Sequence, residues 1–181
     1  LKVFLTRILF TLHFMSGIFS GLASADTFTA TGGLSFGRNS GLNDIKNPAP
    51  LLGADYATDI NSHFGIGGFF DQNFVNFNDG VNGSVHFVGA MVRYTFSSST
   101  SEPSGPNGIF LDGKIGLSQV SQSYLTFSQI GFGLGIGYKI PFSETLSLSP
   151  KINLRLIRDT DGEAASNTPL LDLGVSIAIR F

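Results

Sequence analysis

The sequence predicts an all-β protein: an eight-stranded antiparallel up-and-down transmembrane β-barrel, preceded by a cleaved signal peptide. Three observations carry this reading. In the last twelve residues, Leu171, Leu173, Val175, Ile177, Ile179 and Phe181 alternate with Asp172, Gly174, Ser176, Ala178 and Arg180, the period of a strand with one apolar face. Charged residues make up only 13% of the chain, about half the ~25% usual in soluble domains. Yet no apolar run after residue 25 is long enough for a membrane helix, so lipid has to be met by strands.

The first 25 residues are read separately. Lys2 and Arg7 precede an apolar stretch from Ile8 to Leu22, and Ala23-Ser24-Ala25 follows. A basic start, an apolar middle and a small-residue site make a secretory signal peptide. A single transmembrane anchor fits less well, because Thr11, His13 and Ser16 interrupt a short run. Cleavage is expected before Asp26, leaving residues 26–181 as one barrel domain. The chain holds no cysteine, so disulfides and thiolate metal sites are excluded. A formal net charge of -2 gives no general attraction to nucleic acid.

Eight strands follow in order. The first, about 27–37, sets Phe28, Ala30, Leu34 and Phe36 against Thr27, Thr29, Thr31 and Ser35. A polar loop spans 38–50. The second, about 51–60, carries Leu52, Ala54, Tyr56 and Ile60 opposite Asp55 and Asp59, and Asn61-Ser62 turns the chain into the third, about 63–72, with Phe64, Ile66 and Phe70 on one face. Residues 73–83, rich in Asn, Asp and Gly, read as a loop. The fourth strand, about 84–96, alternates Val88, Ala90, Val92, Tyr94 and Phe96 with Phe87, Gly89, Met91, Arg93 and Thr95. A Ser/Pro/Gly connection, 97–108, leads to the fifth, about 109–118, with Ile109, Leu111, Ile115 and Leu117 apart from Phe110, Asp112, Lys114 and Ser118. Residues 119–128 read as a loop. The sixth strand has the cleanest alternation: Ile130, Phe132, Leu134, Ile136 and Tyr138 against Gly131, Gly133, Gly135, Gly137 and Lys139. A short turn over 140–145 precedes the seventh, about 146–157, whose Leu146, Leu148, Ile152, Leu154 and Leu156 oppose Ser147, Ser149, Lys151, Asn153 and Arg155. Loop 158–169 leads into the last strand. Strands of about ten residues suit a tilted bilayer crossing, and short connections alternate with longer ones as in outer-membrane barrels.

Parity alone leaves two barrels open, since a soluble one would turn the apolar face inward. Charge separates them. A water-facing wall needs many Lys and Glu, whereas the polar face of the sixth strand is four glycines and one lysine. The apolar face is therefore outside, in lipid. The inward parity then holds Asp55, Asp59, His63, Asp71, Arg93, Asp112, Lys114, Lys139, Lys151, Arg155, Asp172 and Arg180. Arg93, Asp112, Lys114, Lys151, Arg155 and Asp172 are the expected lumen charge network. A turn symmetric about Glu102–Pro103 sets Arg93 opposite Asp112; one about Glu163–Ala164 sets Arg155 opposite Asp172. Such a network either braces the wall or lines a narrow ion path. The inward glycines of the sixth strand imply free space or tight curvature.

Aromatics gather near strand ends: Phe28, Phe64, Tyr94, Phe96, Tyr138, Phe142 and Phe181 at one rim, Tyr124 and Phe127 at the other, as interfacial girdles do. Catalytic signals are weak. Ser84 and His86 share a strand face and His63 follows Ser62, but neither pair has an orienting acid. Asn78-Asp79-Gly80 and Asp159-Thr160-Asp161-Gly162 look like calcium-loop fragments without the later Glu, and read as turns. Gly131, Gly133 and Gly135 lie within a strand and open no phosphate-binding helix. No catalytic residue, cofactor or metal is expected.

The alternating strands, the leader and the terminal Phe181 resemble the small eight-stranded bacterial outer-membrane barrels of the OmpA/OmpX type. The resemblance implies residence in the outer membrane, and recognition of Val175, Ile177, Ile179 and Phe181 by the barrel-assembly machinery. Expected partners are outer-membrane lipid, that machinery and an extracellular ligand held by loops 38–50, 73–83, 119–128 and 158–169; nucleic acid is not among them. The resemblance leaves three roles: a non-enzymatic structural or surface-interaction protein, a narrow pore for ions or very small solutes, and a lipid A-modifying enzyme.

Overall fold

The structure, a computed structural model, describes residues 26–37, 45–46, 48–77, 82–97, 108–122, 125–158 and 167–181. Eight strands form the wall: β1 (Asp26–Gly37), β2 (Ala49–Asp59), β3 (Phe64–Phe77), β4 (Asn82–Ser97), β5 (Gly108–Gln122), β6 (Leu125–Pro141), β7 (Leu146–Arg158) and β8 (Asn167–Arg180). A two-residue piece, Ile45–Lys46, adds to the end of β3. Each strand pairs antiparallel with its sequence neighbours, and β1 pairs with β8, so the sheet closes. Closure removes every free edge.

The register fixes the barrel's shape. A path of paired residues leaves β6 at Gly137 and runs through Lys151, Gly174, Gly33, Leu51, Asn73, Val85 and Val120. It returns to β6 at Phe127, ten residues from its start. With strands about 4.8 Å apart and a rise of about 3.3 Å per residue, eight strands at this stagger tilt by about 40° and enclose a radius of about 8 Å. That interior is just wide enough for side chains.

The apolar parity faces outward. Leu134 is 70% exposed, and its neighbours along β6, from Ile130 to Ile140, are exposed with it. At this tilt the run spans about 25 Å, the height of a lipid-facing band. β1, β7 and β8 present the same kind of surface through Leu34, Ile152, Leu154, Val175 and Ile177.

Four sequence expectations change. Residues 73–83 and 119–128 are mostly wall: β3 runs to Phe77, β4 begins at Asn82, and β5 and β6 extend to Gln122 and from Leu125. Likewise Ala49–Pro50 belongs to β2 and Asn167–Pro169 to β8. Polar outward residues made these stretches look like loops, although cross-strand pairing does not require an apolar outer face. The rest of loops 38–50 and 158–169 (38–44, 47 and 159–166), like the expected leader, the Glu102–Pro103 and Glu163–Ala164 turn centres and the sites of Tyr124 and the calcium-loop fragments, lies outside the described residues.

The two described turns are tight. Ile60 and Asn61 donate backbone N–H bonds to the Phe64 carbonyl at 2.8 and 3.2 Å, while the Asn61 side-chain oxygen accepts from the His63 and Phe64 amides at 2.9 Å. Residues 142–145 close in the same manner, Phe142 donating to Leu146 at 2.9 Å. These turns, Asp26 and Phe181 share one end of the barrel, the turn end; the other is the loop end. One seam interrupts the wall. Between β6 and β7, pairing runs to Gly137↔Lys151 and resumes at Ile140↔Leu148. Pro150, which has no N–H to give, sits in this interval.

Candidate functional site

The interior is the first candidate. Near the turn end, Arg93 on β4 stands directly opposite Asp112 on β5, the register a turn symmetric about Glu102–Pro103 requires. The guanidinium meets the carboxylate in a fork, Nε–Oδ1 at 2.7 Å and Nη2–Oδ2 at 2.9 Å. It also reaches Asp55 at 3.4 Å and lies 4.7 Å from the centre of the Phe110 ring. Lys151 approaches Asp55 from the far wall at 3.5 Å. At the rim, Arg180 and Asp59 pair at 3.4 Å, half-exposed.

The middle of the lumen is aromatic. Phe69 and Phe87 pack edge to face, centroids 4.6 Å apart, with Met91 and Ala57 around them. Lys114 lies over Phe69 at 4.5 Å and binds Asp71 at 2.8 Å. The inward glycines of β6 serve this packing. A Cβ at Gly137 would lie 2.3 Å from the Phe110 ring, one at Gly131 2.9 Å from Phe87, and one at Gly135 2.2 Å from Asn153. Of the two expectations, free space or tight curvature, the first is not met: side chains from other strands fill the space beside them. Elsewhere glycines allow the backbones to approach: a Cβ on either Gly89 or Gly116, which face each other on β4 and β5, would sit 2.1 Å from a carbonyl oxygen of the other strand.

Above the aromatics, Arg155 and Asp172 form a second, fully buried ion pair, with one hydrogen bond, Nη2 to Oδ1 at 2.8 Å, and Nε 2.7 Å from Oδ2 without bonding geometry. Their expected register is corrected. Asp172 stands opposite Asn153, and Arg155 opposite Leu170. This register is centred one residue earlier than the one expected, and the long arginine side chain spans the diagonal. Arg155 also donates to Asn73, and Ser35 to Asp172.

Sequence reasoning missed the last layer. Ala49, Val75, Val85, Val120 and Leu170 form a buried apolar cluster at the loop end, with Leu51 just below. They share the inward parity of the charges, so a search for inward charge passes them over. The signal was an inversion. Ser84, His86, Gln119, Ser121 and Ser128 occupy outward positions at this height, with apolar residues inside. That is the pattern of a barrel standing in water.

His86 faces outward, its Nε2 2.9 Å from Ser84 Oγ. Its cross-strand partners are Gln72 and Gln119, so no carboxylate stands where an orienting acid would. His63 lies in the exposed β2–β3 turn, stacked near Tyr94 at 6.0 Å and bonded to Ser62 at 2.8 Å. Tyr94 also packs against Phe64 and Phe96, at 4.8 and 4.7 Å, at the turn-end rim. Val175, Ile177, Ile179 and Phe181 all point outward, and the Phe181 amide bonds to the Asp26 carbonyl at 2.9 Å. Among the described residues no group of three or more His, Cys, Asp or Glu is placed to hold a metal.

No family model and no curated protein matches the chain. Solved structures do. Neisserial surface protein A superposes with a TM-score of 0.66 at 13% identity, over 87% of this chain and 96% of that one. Ail, the attachment invasion locus protein of Yersinia pestis, gives 0.55 at 12%, over 88% and 99%. The outer membrane protein OprG from Pseudomonas aeruginosa gives 0.52 at 10%, over 88% and 97%. The chain has the fold of the small eight-stranded barrels of the bacterial outer membrane.

Proposed function

We propose that this protein is a non-conducting, non-enzymatic outer-membrane barrel with a structural or surface-interaction role. The filled lumen carries this reading: two arginine–carboxylate pairs, an aromatic layer and an apolar cap lie in series along its axis. An ion crossing it would have to pass the cluster of Ala49, Val75, Val85, Val120 and Leu170, whose side chains offer nothing to replace its water. The stretch of wall beyond the apolar band supports the second half. β3 to β6 are 14, 16, 15 and 17 residues long, against the roughly 9–11 a crossing needs. Their outward residues there include Asn82, Ser84, Gln119 and Ser121, a neutral hydrogen-bonding surface suited to an extracellular ligand. The outward row Val175, Ile177, Ile179 and Phe181 would serve as the signal read by the assembly machinery.

Planar-bilayer recording tests the reading. The purified protein should show no steady single-channel steps. A reproducible conductance would overturn it in favour of the narrow pore, and a changed lipid A mass spectrum in cells carrying the protein would favour an enzyme.

A further inference from the structure

The cap closes the lumen at the loop end, but the turn end stays open. There a cavity of about 60 Å³ reaches from the turn residues Ser62 and His63 up to Arg93 and Lys151. Roughly 10–15 Å³ on this measure holds one water, so the space suits a tetrahedral oxyanion of five heavy atoms.

Its chemistry is cationic and hydroxylic. Arg93, Lys139 and Lys151 line it, together with Ser147, Ser149 and Ser176. The carboxylates nearby are engaged. Asp112 and Asp55 are held by Arg93, and Asp59 by Arg180. Lys151 is buried, and its ammonium has no protein hydrogen-bond acceptor, its one carboxylate standing at 3.5 Å. Lys139 makes no ion pair of 4.0 Å or less with a described residue. Arg180, paired with Asp59 at the rim, adds a fourth cation, and Asp26, which accepts from Thr58, a fourth carboxylate. A buried ammonium with three unused donors is costly, and an oxyanion would accept from both lysines at once.

We infer that this vestibule is a binding site for one phosphate-type oxyanion, reached from the turn end and held by Lys139 and Lys151 with the serine hydroxyls. In the membrane that end faces the periplasm, so the anion is either free phosphate or the phosphate of a headgroup in the inner leaflet. The site is a dead end, since the cap lies beyond it.

Phosphorus NMR of the protein, purified from membranes and held in phosphate-free maltoside micelles, reads the site directly. Inorganic phosphate titrated at constant ionic strength should give saturable broadening. Lys139→Gln and Lys151→Met should each weaken binding by about tenfold or more, and Ser84→Ala, on the outer wall at the other end, should change nothing. Lys139 is only part-buried and unpaired, so its variant keeps the test open if Lys151→Met fails to fold. A linear response, or full affinity in Lys139→Gln, overturns the site. Phosphatidylglycerol vesicles, at an ionic strength that screens their surface, distinguish the sources. Reduced phosphate affinity there assigns the site to the lipid headgroup; unchanged affinity assigns it to free phosphate.

Discussion

The two ends of the interior are built on opposite chemistries. At the turn end the lumen is a charged, hydroxyl-lined vestibule under an apolar outer wall. At the loop end it is an apolar plug of Ala49, Val75, Val85, Val120 and Leu170 under a polar outer wall. The wall is one continuous sheet with one register, so what changes is the solvent outside it. Where lipid surrounds the barrel, apolar side chains are spent outward and the interior is held by ion pairs. Where water surrounds it, the hydrophobic effect turns inward again.

Substitutions can break this contrast, starting with the largest expected effect. Arg155→Ala leaves Asp172 buried without its partner and should cost about 3–5 kcal/mol, as losing one member of a buried pair does. Asp172→Ala should also destabilise, and the double substitution should cost less than the sum. Urea unfolding in lipid vesicles measures all three; strict additivity would mean the pair is solvated. Next comes the lipid-facing wall. Leu134→Arg puts a charge mid-band and should cost about 2–4 kcal/mol. The plug comes third: Val85→Ala removes two buried methyl groups and should cost about 1–2 kcal/mol, although Val85 lies beyond the band. A neutral result there would show that the plug does not hold the loop end. The smallest effect sharpens the boundary. Gln119→Arg faces outward above the band and should stay within about 0.5 kcal/mol, while Ile115→Arg, two outward positions lower and inside the band, should approach the cost of Leu134→Arg.

Much of this architecture was legible in the chain. The alternation along β6 and β8 gave strand type, face and compartment together, because a wall of isoleucine, leucine and glycine has no other stable setting. The Arg93–Asp112 pair followed from counting about a turn centre. The same counting misplaced Arg155 against Asp172 by two positions, since a one-residue shift of a loop centre moves the facing partner by two. The plug and the long β3–β6 hairpins were missed for one reason. Both lie where the outward residues turn polar, and a polar stretch with Asn, Asp and Gly reads as a loop when the membrane is assumed to cover the whole wall. The vestibule was out of reach because it depends on which carboxylates are already engaged, a matter of reach in three dimensions.

The interrupted pairing around Pro150 bears on how the closed sheet opens. A barrel without edges can come apart only by losing a whole ladder, and the β6–β7 ladder already lacks the rungs between Gly137↔Lys151 and Ile140↔Leu148. Local opening is least costly where the fewest backbone bonds must be given up. Amides bordering this seam should exchange their hydrogens ahead of the rest of the lipid-covered wall. The cylinder should also begin to unzip there, from the turn end upward, while the plug at the far end holds the remaining strands together until last.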